Sequence, residues 1–257
     1  DDEMIRKEFF KGIRYPYITN ASPNKRHDGL NIARAAYAVD KNILKTEINE
    51  KGNAVMKLES LSRMNGFEAS GAHSALFDAE LTMKILSLIK KKQPETWGSF
   101  LKTSNRLDTE TIFKKEKIFT LNEYFYGKSR LYLCAPLHPK HCIHPIYQWG
   151  QAFDLRVDVE PLLNLSINDL KLEMKKSPKF LRTIRSNKAP IILDLTYGMK
   201  EEPYNAIDIN IIKKRAEIVR GNEKFSQNIM IALRDIAEEK EQSKSQEDIL
   251  AEESIYN

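Results

Sequence analysis

Two residues that could share a hydrolytic reaction, His73 and Asp78, stand five positions apart at the start of a segment with helical spacing of its apolar residues. Asn65-Gly66 and Gly71 indicate a loop just before this segment. We therefore expect His73 on a mobile loop and Asp78 on the first turn of a rigid helix. A mobile histidine suits a general base that deprotonates water, and a fixed carboxylate suits a metal ligand.

The same spacing has an ordinary alternative. The N-terminus of a helix favours acidic residues, so Asp78 also fits a plain helix start. A single histidine is more often a surface or capping residue than a catalytic one, and short motifs carry a high false-positive risk. His73 and Asp78 taken alone leave both interpretations open.

The longer string AHSALFDAELT, residues 72–82, resembles the third motif of the DEDD exonucleases that use a histidine as general base. Flanking segments extend this to a resemblance to the bacterial exonuclease I family over essentially the whole chain. These segments are 26–30, 34–38, 57–61, 65–66, 93–94, 135–137, 154–155, 161–163 and 187–190. The histidine motif is the most specific of them.

The resemblance implies a 3′→5′ exonuclease that releases 5′-mononucleotides from single-stranded DNA in repair and recombination. It implies two Mg²⁺ ions held by four acidic residues, with Asp1 and Asp78 as metal ligands and His73 acting beside them in catalysis. The residues that it assigns to strand contacts are Arg6, Tyr17, Arg34, Lys57, Arg106, Arg182 and Asn187. Lys57 stands where the family has an arginine, which keeps the charge and loses the bidentate fork.

The first acidic motif of the family, Asp-x-Glu on a core strand, has no counterpart in a strand context here. Asp108-Thr109-Glu110 has the spacing, but it lies in a polar stretch that predicts a loop or a helix start. The resemblance therefore predicts a central fragment, inactive by itself, of a longer exonuclease. Two alternatives stay open: an RNA-trimming exonuclease of the same superfamily, and a non-catalytic module that binds single strands.

The partners implied by the resemblance are single-stranded DNA and single-stranded DNA-binding protein, for a cytoplasmic monomer that does not bind membranes. Asp40 and Ser99 stand where the family has an arginine and a tyrosine for the acidic tail of that binding protein. No apolar run approaches the length of a membrane span. Cys134 and Cys142, without a secretory signal, indicate a reducing compartment.

A dense group of potential metal ligands follows the predicted strand that ends near residue 137. The group consists of Cys134, His138, His141, Cys142 and His144. Zinc is one interpretation, because thiolates and imidazoles are its usual ligands. The spacing matches no common zinc pattern, however, and three prolines stiffen the segment, so a loop at the end of a strand is the alternative.

The charge of the chain is uneven. Residues 1–200 hold 33 Lys and Arg against 23 Asp and Glu, a net charge of +10, whereas residues 201–257 hold 8 against 13, a net charge of −5. A basic body fits a protein that binds nucleic acid. A lysine-rich solvated surface explains the same numbers.

The 257 residues suit two domains of an α/β protein. Helical spacing of apolar residues predicts helices at 1–13, 29–39, 57–64 and 74–91, and helical structure at 94–114. Apolar or alternating runs predict strands at 130–137, 146–159 and 191–195. Helical spacing returns at 207–220, 223–239 and 245–255, with a polar hinge predicted at 240–246. The resemblance implies a partial RNase H-like exonuclease domain at 1–93. An SH3-like β-barrel with helical additions would follow at 94–245, and a helical domain would start at 246–257.

Overall fold

The computed structural model describes residues 2–19, 21, 24–68 and 74–256, with side chains described for 3–19, 21, 24–68 and 74–243. Ten α-helices lie within these ranges. They are α1 Asp2–Lys11, α2 Gly29–Val39, α3 Leu58–Met64, α4 Ala75–Lys92, α5 Pro94–Phe100, α6 Arg106–Lys115, α7 Ile167–Glu173, α8 Leu195–Gly198, α9 Ile209–Gly221 and α10 Glu223–Tyr256. Across the same ranges, no helix combines the length and apolar character needed to cross a membrane.

Local capping sets the start of the two helices that matter most for the site. Asp28 caps α2, since its Oδ1 accepts hydrogen bonds from the backbone N–H groups of Leu30 and Asn31. Ser74 caps α4, since its Oγ accepts a hydrogen bond from the N–H of Phe77 at 3.3 Å. Side-chain caps of this kind satisfy backbone donors that have no partner inside the helix.

The strands are β1 Phe119–Phe125, β2 Lys128–Pro136, β3 Gly150–Asp154, β4 Leu181–Ile184 and β5 Ile191–Leu193. They form a sheet in the order β4-β3-β2-β1-β5, in which β2–β3 and β3–β4 are antiparallel. Tyr126 and Gly127 alone connect β1 to β2, and both have positive φ, 49° and 79°. Two positive φ values define the type I′ turn, whose twist matches that of a β-hairpin.

The chain divides into two compact units, which are described separately. The first consists of Asp1–Thr109, Asn122–Arg130 and Ser186–Ile192. Its core forms where α2 and α3 pack on α4. Leu81, Ile85 and Ile89 recur every fourth residue of α4 and are buried, so they present one continuous apolar face. Gly29 of α2 lies so close to α4 that a Cβ would stand 3.2 Å from Cγ2 of Thr82.

The second unit consists of Glu110–Leu121, Leu131–Arg185 and Leu193–Asn257. Buried Phe153 of β3 packs against Phe180 and Phe225, and α7 packs along α10. Lys171 of α7 forms ion pairs with Asp235 and Glu239 of α10 at 3.1 and 3.0 Å. These contacts fix the amino-terminal half of α10 on the unit.

Several predicted elements differ from the observed ones. The predicted strand at 146–159 is a strand only at Gly150–Asp154, with turns on both sides. The predicted hinge at 240–246 is wrong, because α10 continues from Glu223 to Tyr256. The domain boundary predicted at residue 93 stays a prediction, and helix α4 does end at Lys92, just before the proline that begins α5.

Candidate nucleic-acid interface

The three predicted catalytic residues fall unevenly on the structure. Asp1 and His73 lie outside the described residues. Asp78 lies in the first turn of α4, half-buried, where its N–H donates to the carbonyl of Ser74 at 2.9 Å and its carbonyl accepts from Oγ1 of Thr82 at 2.8 Å. Asp78 thus lies on the first turn of a helix, as the sequence predicted, and its role as a metal ligand stays a prediction.

The Asp108-x-Glu110 sequence is part of helix α6 and of no strand. Oδ2 of Asp108 accepts hydrogen bonds from the N–H and Oγ of Ser104, so this carboxylate organises the start of the helix. The prediction of a helix start at this point is confirmed. The spacing therefore does not mark the first metal-binding motif of the superfamily.

Arg6 and Tyr17, both predicted to contact the strand, lie together in the first unit. The guanidinium carbon of Arg6 lies 5.1 Å from the ring centroid of Tyr17, within the range of a cation–π contact. Tyr17 is 50% exposed and has a second aromatic neighbour in Tyr15, with ring centroids 5.9 Å apart. The pair offers an aromatic surface next to a positive charge, which suits contact with a nucleotide.

Arg106 and Asn187 line one cavity of about 620 Å³ in the first unit, although 81 positions separate them in the sequence. We call this the basic cavity; its charged lining residues are Lys25, Arg26, Asp28, Arg106 and Lys188. Asp28 already accepts two backbone hydrogen bonds as the cap of α2. Four cations against one carboxylate give the lining an excess of positive charge, which favours anions such as the phosphates of a nucleic acid.

His27 also lines the basic cavity, and its environment keeps it uncharged. Burial lowers the pKa of His27, and the charge of Lys25 lowers it further, while Asp108 opposes the shift. Within the described residues, both ring nitrogens are buried and have no hydrogen-bond partner. A neutral imidazole at neutral pH follows from these surroundings.

Arg34 and Lys57 line a second cavity of the first unit, of about 550 Å³, which we call the helix cavity. Residues of α2, α3 and α4 supply its mainly apolar walls, and Tyr124 completes them. The guanidinium carbon of Arg34 lies 3.6 Å from the ring centroid of Tyr124. Thr82 also lines the cavity, and its hydroxyl donates a hydrogen bond to the backbone carbonyl of Asp78, one helical turn earlier in α4.

Arg182 has different surroundings, in the second unit. Its Nε and Nη2 donate to Oδ2 of Asp154 at 3.2 and 2.9 Å, and its guanidinium carbon lies 3.6 Å from the ring centroid of Tyr132. Only 12% of its side chain is exposed. The role of Arg182 in strand binding stays a prediction, and these contacts already give the side chain a structural role.

The cysteine and histidine group does not form a metal site in the described ranges, where no three His, Cys, Asp or Glu side chains are arranged to hold an ion. Cys134 and Cys142 are both buried, and burial raises the pKa of the Cys142 thiol, which disfavours the thiolate that binds zinc. Nε2 of His138 and of His141 instead face the carboxylate of Glu223. The alternative of a loop at the end of a strand fits this geometry.

Sequence reasoning missed Lys25 and Lys188 of the basic cavity and Tyr124 of the helix cavity. Neither lysine belongs to a motif that marks a site, and only the fold places them with Arg106. Tyr124 had a detectable signal, since the aromatic run 124–126 next to a glycine indicates a hairpin tip that displays its rings.

Comparisons with known proteins agree on one group of relatives. No family model matches the chain. Exodeoxyribonuclease I of Buchnera aphidicola from Acyrthosiphon pisum is 29% identical over 248 residues, which cover 90% of this chain and 57% of the relative. The exodeoxyribonuclease I of Escherichia coli K12 is 26% identical over 225 residues, 82% of this chain and 46% of the relative.

Solved structures show the same fold. Escherichia coli exonuclease I in complex with a dA16 oligonucleotide has a TM-score of 0.69 at 23% identity, covering 91% of this chain and 52% of that one. An ExoI/SSB-Ct complex has a TM-score of 0.67 at 22% identity with the same coverage. The chain spans about half the length of the curated relatives it matches, and over most of its own length it is a homologue of the proteins named exodeoxyribonuclease I.

Proposed function

We propose that this chain binds single-stranded DNA and forms the histidine-motif portion of a 3′→5′ exodeoxyribonuclease that releases 5′-mononucleotides in DNA repair. The observation that carries the proposal is that the predicted strand contacts of the first unit lie together in pairs. Arg6 lies with Tyr17, Arg34 with Lys57, and Arg106 with Asn187. The likeness to exonuclease I supports the same conclusion.

The detailed domain assignment belongs to this proposal. Residues 1–93 would be the carboxy-terminal part of an RNase H-like exonuclease domain, and 94–245 an SH3-like barrel with helical additions. The five-stranded sheet with its tight β1–β2 hairpin supports the second assignment. The packing of α2 and α3 on α4, which carries Asp78, supports the first.

The described residues supply one carboxylate of the proposed Mg²⁺ centre, and one carboxylate does not make a two-metal site. Asp78 is chemically suitable, because Mg²⁺ prefers carboxylate oxygens on rigid elements. Asp1, the other proposed ligand in this chain, lies outside the described residues. Bound Mg²⁺ would supply charge stabilisation at the scissile phosphate and at the leaving 3′ oxygen.

The chain's own residues would act on the strand as follows. His73 would accept a proton from the attacking water, and the rigid start of α4 would hold Asp78 in place as a metal ligand. The basic cavity would bind backbone phosphates. Arg34, Lys57 and the ring of Tyr124 would hold a nucleotide in the helix cavity, where the apolar walls suit a base or sugar.

Single-stranded DNA-binding protein is a proposed partner through the likeness to the ExoI/SSB-Ct complex. Asp40 stands at one of the two positions that differ from the family. It is exposed, and its Oδ1 accepts a hydrogen bond from the N–H of Asn42. A negative charge there repels an acidic peptide. We therefore expect weaker recruitment than a site with an arginine would give, and Asp40→Arg to strengthen it.

Binding measurements on the chain test the proposal. A fluorescent single strand should bind more tightly than its duplex, with a salt slope of about −0.7 in log K against log salt for each phosphate neutralised. Replacing Arg34, Arg106 and Lys188 together by Ala should flatten that slope by roughly 2. Replacing three exposed lysines outside both cavities, Lys51, Lys84 and Lys91, gives a control with the same net charge.

The outcome separates the proposal from its alternatives. Equal losses in the two triple variants would show that general charge, rather than the two cavities, binds DNA. Preference for an RNA of the same sequence would favour an RNA-trimming exonuclease. Single-strand binding in a longer protein that never hydrolyses DNA with Mg²⁺ would favour the non-catalytic module, which is consistent with the single carboxylate in the described site.

A further inference from the structure

A column of four stacked side chains lies on the second unit, outside both cavities. The ring centroids of His144 and Tyr147 are 4.8 Å apart, and those of Tyr147 and Trp149 are 4.7 Å apart with planes 25° from parallel. The guanidinium carbon of Arg185 lies 4.8 Å from the Trp149 ring centroid. The column therefore ends in an exposed cation.

Hydrogen bonds hold this column in a fixed arrangement. Nδ1 of His144 accepts hydrogen bonds from the backbone N–H groups of Ile146 and Tyr147 at 3.1 and 3.2 Å. The backbone N–H of His144 donates to the carbonyl of Trp149 at 2.8 Å. Burial lowers the pKa of His144, and a hydrogen bond to the backbone of Leu233 opposes part of this shift. The imidazole stays neutral at neutral pH, so its lone pair remains available to the loop.

The sheet supplies the other side of the column. Gly150 pairs with Ile184 in the antiparallel register of β3 and β4, so Trp149 and Arg185 are the next residues along each chain. The pairing of the two strands thus places Arg185 beside Trp149. Because these side chains are already ordered, binding of a ligand to this surface costs the protein little conformational entropy.

Arg185 differs from the neighbouring arginines in what it binds. Arg156 and Arg182 both form ion pairs with Asp154, which is fully buried. Within the described part of the chain, Arg185 has its contact with Trp149 and no hydrogen bond or ion pair. Its guanidinium can therefore donate to an external anion while one face rests on the indole.

We propose that Arg185, supported by Trp149 and Tyr147, is a contact site for one nucleotide of a single DNA strand. A planar guanidinium stacks on a base and donates hydrogen bonds to phosphate, and an aromatic support suits strands whose bases are unpaired. This inference rests on the proposed single-strand binding and adds a contact that the resemblance did not assign. It gives the second unit a cation free for DNA, whereas Arg182 is already bound to Asp154.

Affinity measurements on the whole chain test the site. Arg185→Ala should weaken binding of a single-stranded oligonucleotide about 10-fold, in line with the loss of one stacked base. Arg185→Lys keeps the charge without the plane, so it should bind with intermediate affinity and an unchanged salt slope. Lys213→Ala removes an exposed charge from α9 of the same unit and should leave affinity unchanged.

Tryptophan fluorescence gives a second, local measurement. The chain has two tryptophans, Trp97 and Trp149, so Trp97→Phe leaves Trp149 as the only reporter. Saturating single-stranded DNA should change its emission, and Arg185→Ala should reduce that change.

The outcomes distinguish this inference from the proposed function. If the wild-type chain binds single strands but Arg185→Ala binds equally well and Trp149 emission does not change, the site is overturned and the proposed function stands. If the wild-type chain binds no single strand, both are overturned. An equal loss in Arg185→Ala and Lys213→Ala would show a general charge effect and would also overturn the site.

Discussion

Arg182 donates hydrogen bonds from Nε and Nη2 to the same oxygen of Asp154, at 3.2 and 2.9 Å. Arg156 and the hydroxyl of Tyr204 also bind this carboxylate, the latter at 2.6 Å to Oδ1. Burial raises the pKa of Tyr204, so the phenol stays a neutral donor. The buried carboxylate is thus held by two cations and a hydroxyl.

Breaking this network should destabilise the second unit strongly. Asp154→Ala leaves two arginines and a phenol without their partner, and loss of one member of a buried pair costs roughly 3–5 kcal/mol. Tyr204→Phe removes a single hydrogen bond and should cost about 1–2 kcal/mol. Chemical denaturation followed by circular dichroism measures both free energies of unfolding.

The same measurement tests the place of Arg182. Arg182→Ala should lower the free energy of unfolding as well as any affinity for DNA, because its guanidinium bridges Asp154 and Tyr132. A variant with unchanged stability and weaker DNA binding would instead support the strand contact implied by the resemblance.

The sequence predicted the elements that depend on local signals. The bounds of α2 were predicted in full, and those of α3 and α4 within one residue, because capping residues and apolar spacing lie inside the segments themselves. The strand β4 was missed, since its four residues carry two polar side chains and are fixed by pairing with β3.

Contacts between residues far apart in the sequence limited how much of the site could be predicted. Arg34 and Lys57 were found by resemblance, but the hairpin residue that stacks on Arg34, Tyr124, is 90 positions away from it in the sequence. Likewise, nothing local to Arg182 shows that Asp154, 28 positions earlier, binds its guanidinium. Side-chain partners of this kind follow from the fold, which a single sequence does not give.

The β1–β2 turn provides a test of backbone conformation. Gly127→Ala should destabilise the protein by at least about 1 kcal/mol, since an L-residue at positive φ is strained. The new Cβ would also lie 2.5 Å from Nδ2 of Asn53. Tyr126→Asn should raise the melting temperature, because Asn-Gly is preferred in type I′ turns.

A double variant separates the two effects in this turn. Asn53→Ala combined with Gly127→Ala should recover the steric part of the loss and leave the backbone part. Full recovery of stability would contradict the assignment of strain to positive φ, and no recovery would show that Asn53 moves aside without loss.

Stability should fall as the pH is lowered below about 6.5, the ordinary value for histidine. The folded pKa of His27 is below that value, so the unfolded chain binds a proton first, and this protonation lowers the free energy of the unfolded state relative to the folded state. The stability that the neutral histidine provides is complete above pH 6.5 and is lost as the pH falls through the folded pKa.

His27→Gln tests this dependence, because glutamine does not titrate in that range. Melting temperatures measured between pH 7.5 and 5 should fall less steeply in the variant than in the wild type. Equal slopes would show that His27 contributes nothing to the pH dependence. His144, whose pKa is also lowered by burial, would then be the histidine to replace next.

The histidine motif allows the most direct test of catalysis. In the longer exonuclease that the resemblance implies, His73→Ala should keep affinity for single-stranded DNA and lose at least about 100-fold in the rate of nucleotide release, the usual contribution of a general base. Asp78→Asn should also abolish release while weakening the dependence on Mg²⁺. A continuous assay of mononucleotide release, with binding measured in parallel, compares the variants. Near-normal turnover in His73→Ala would remove this histidine from the mechanism, and Mg²⁺-dependent release by residues 1–257 alone would show that the metal site needs no further acidic residues.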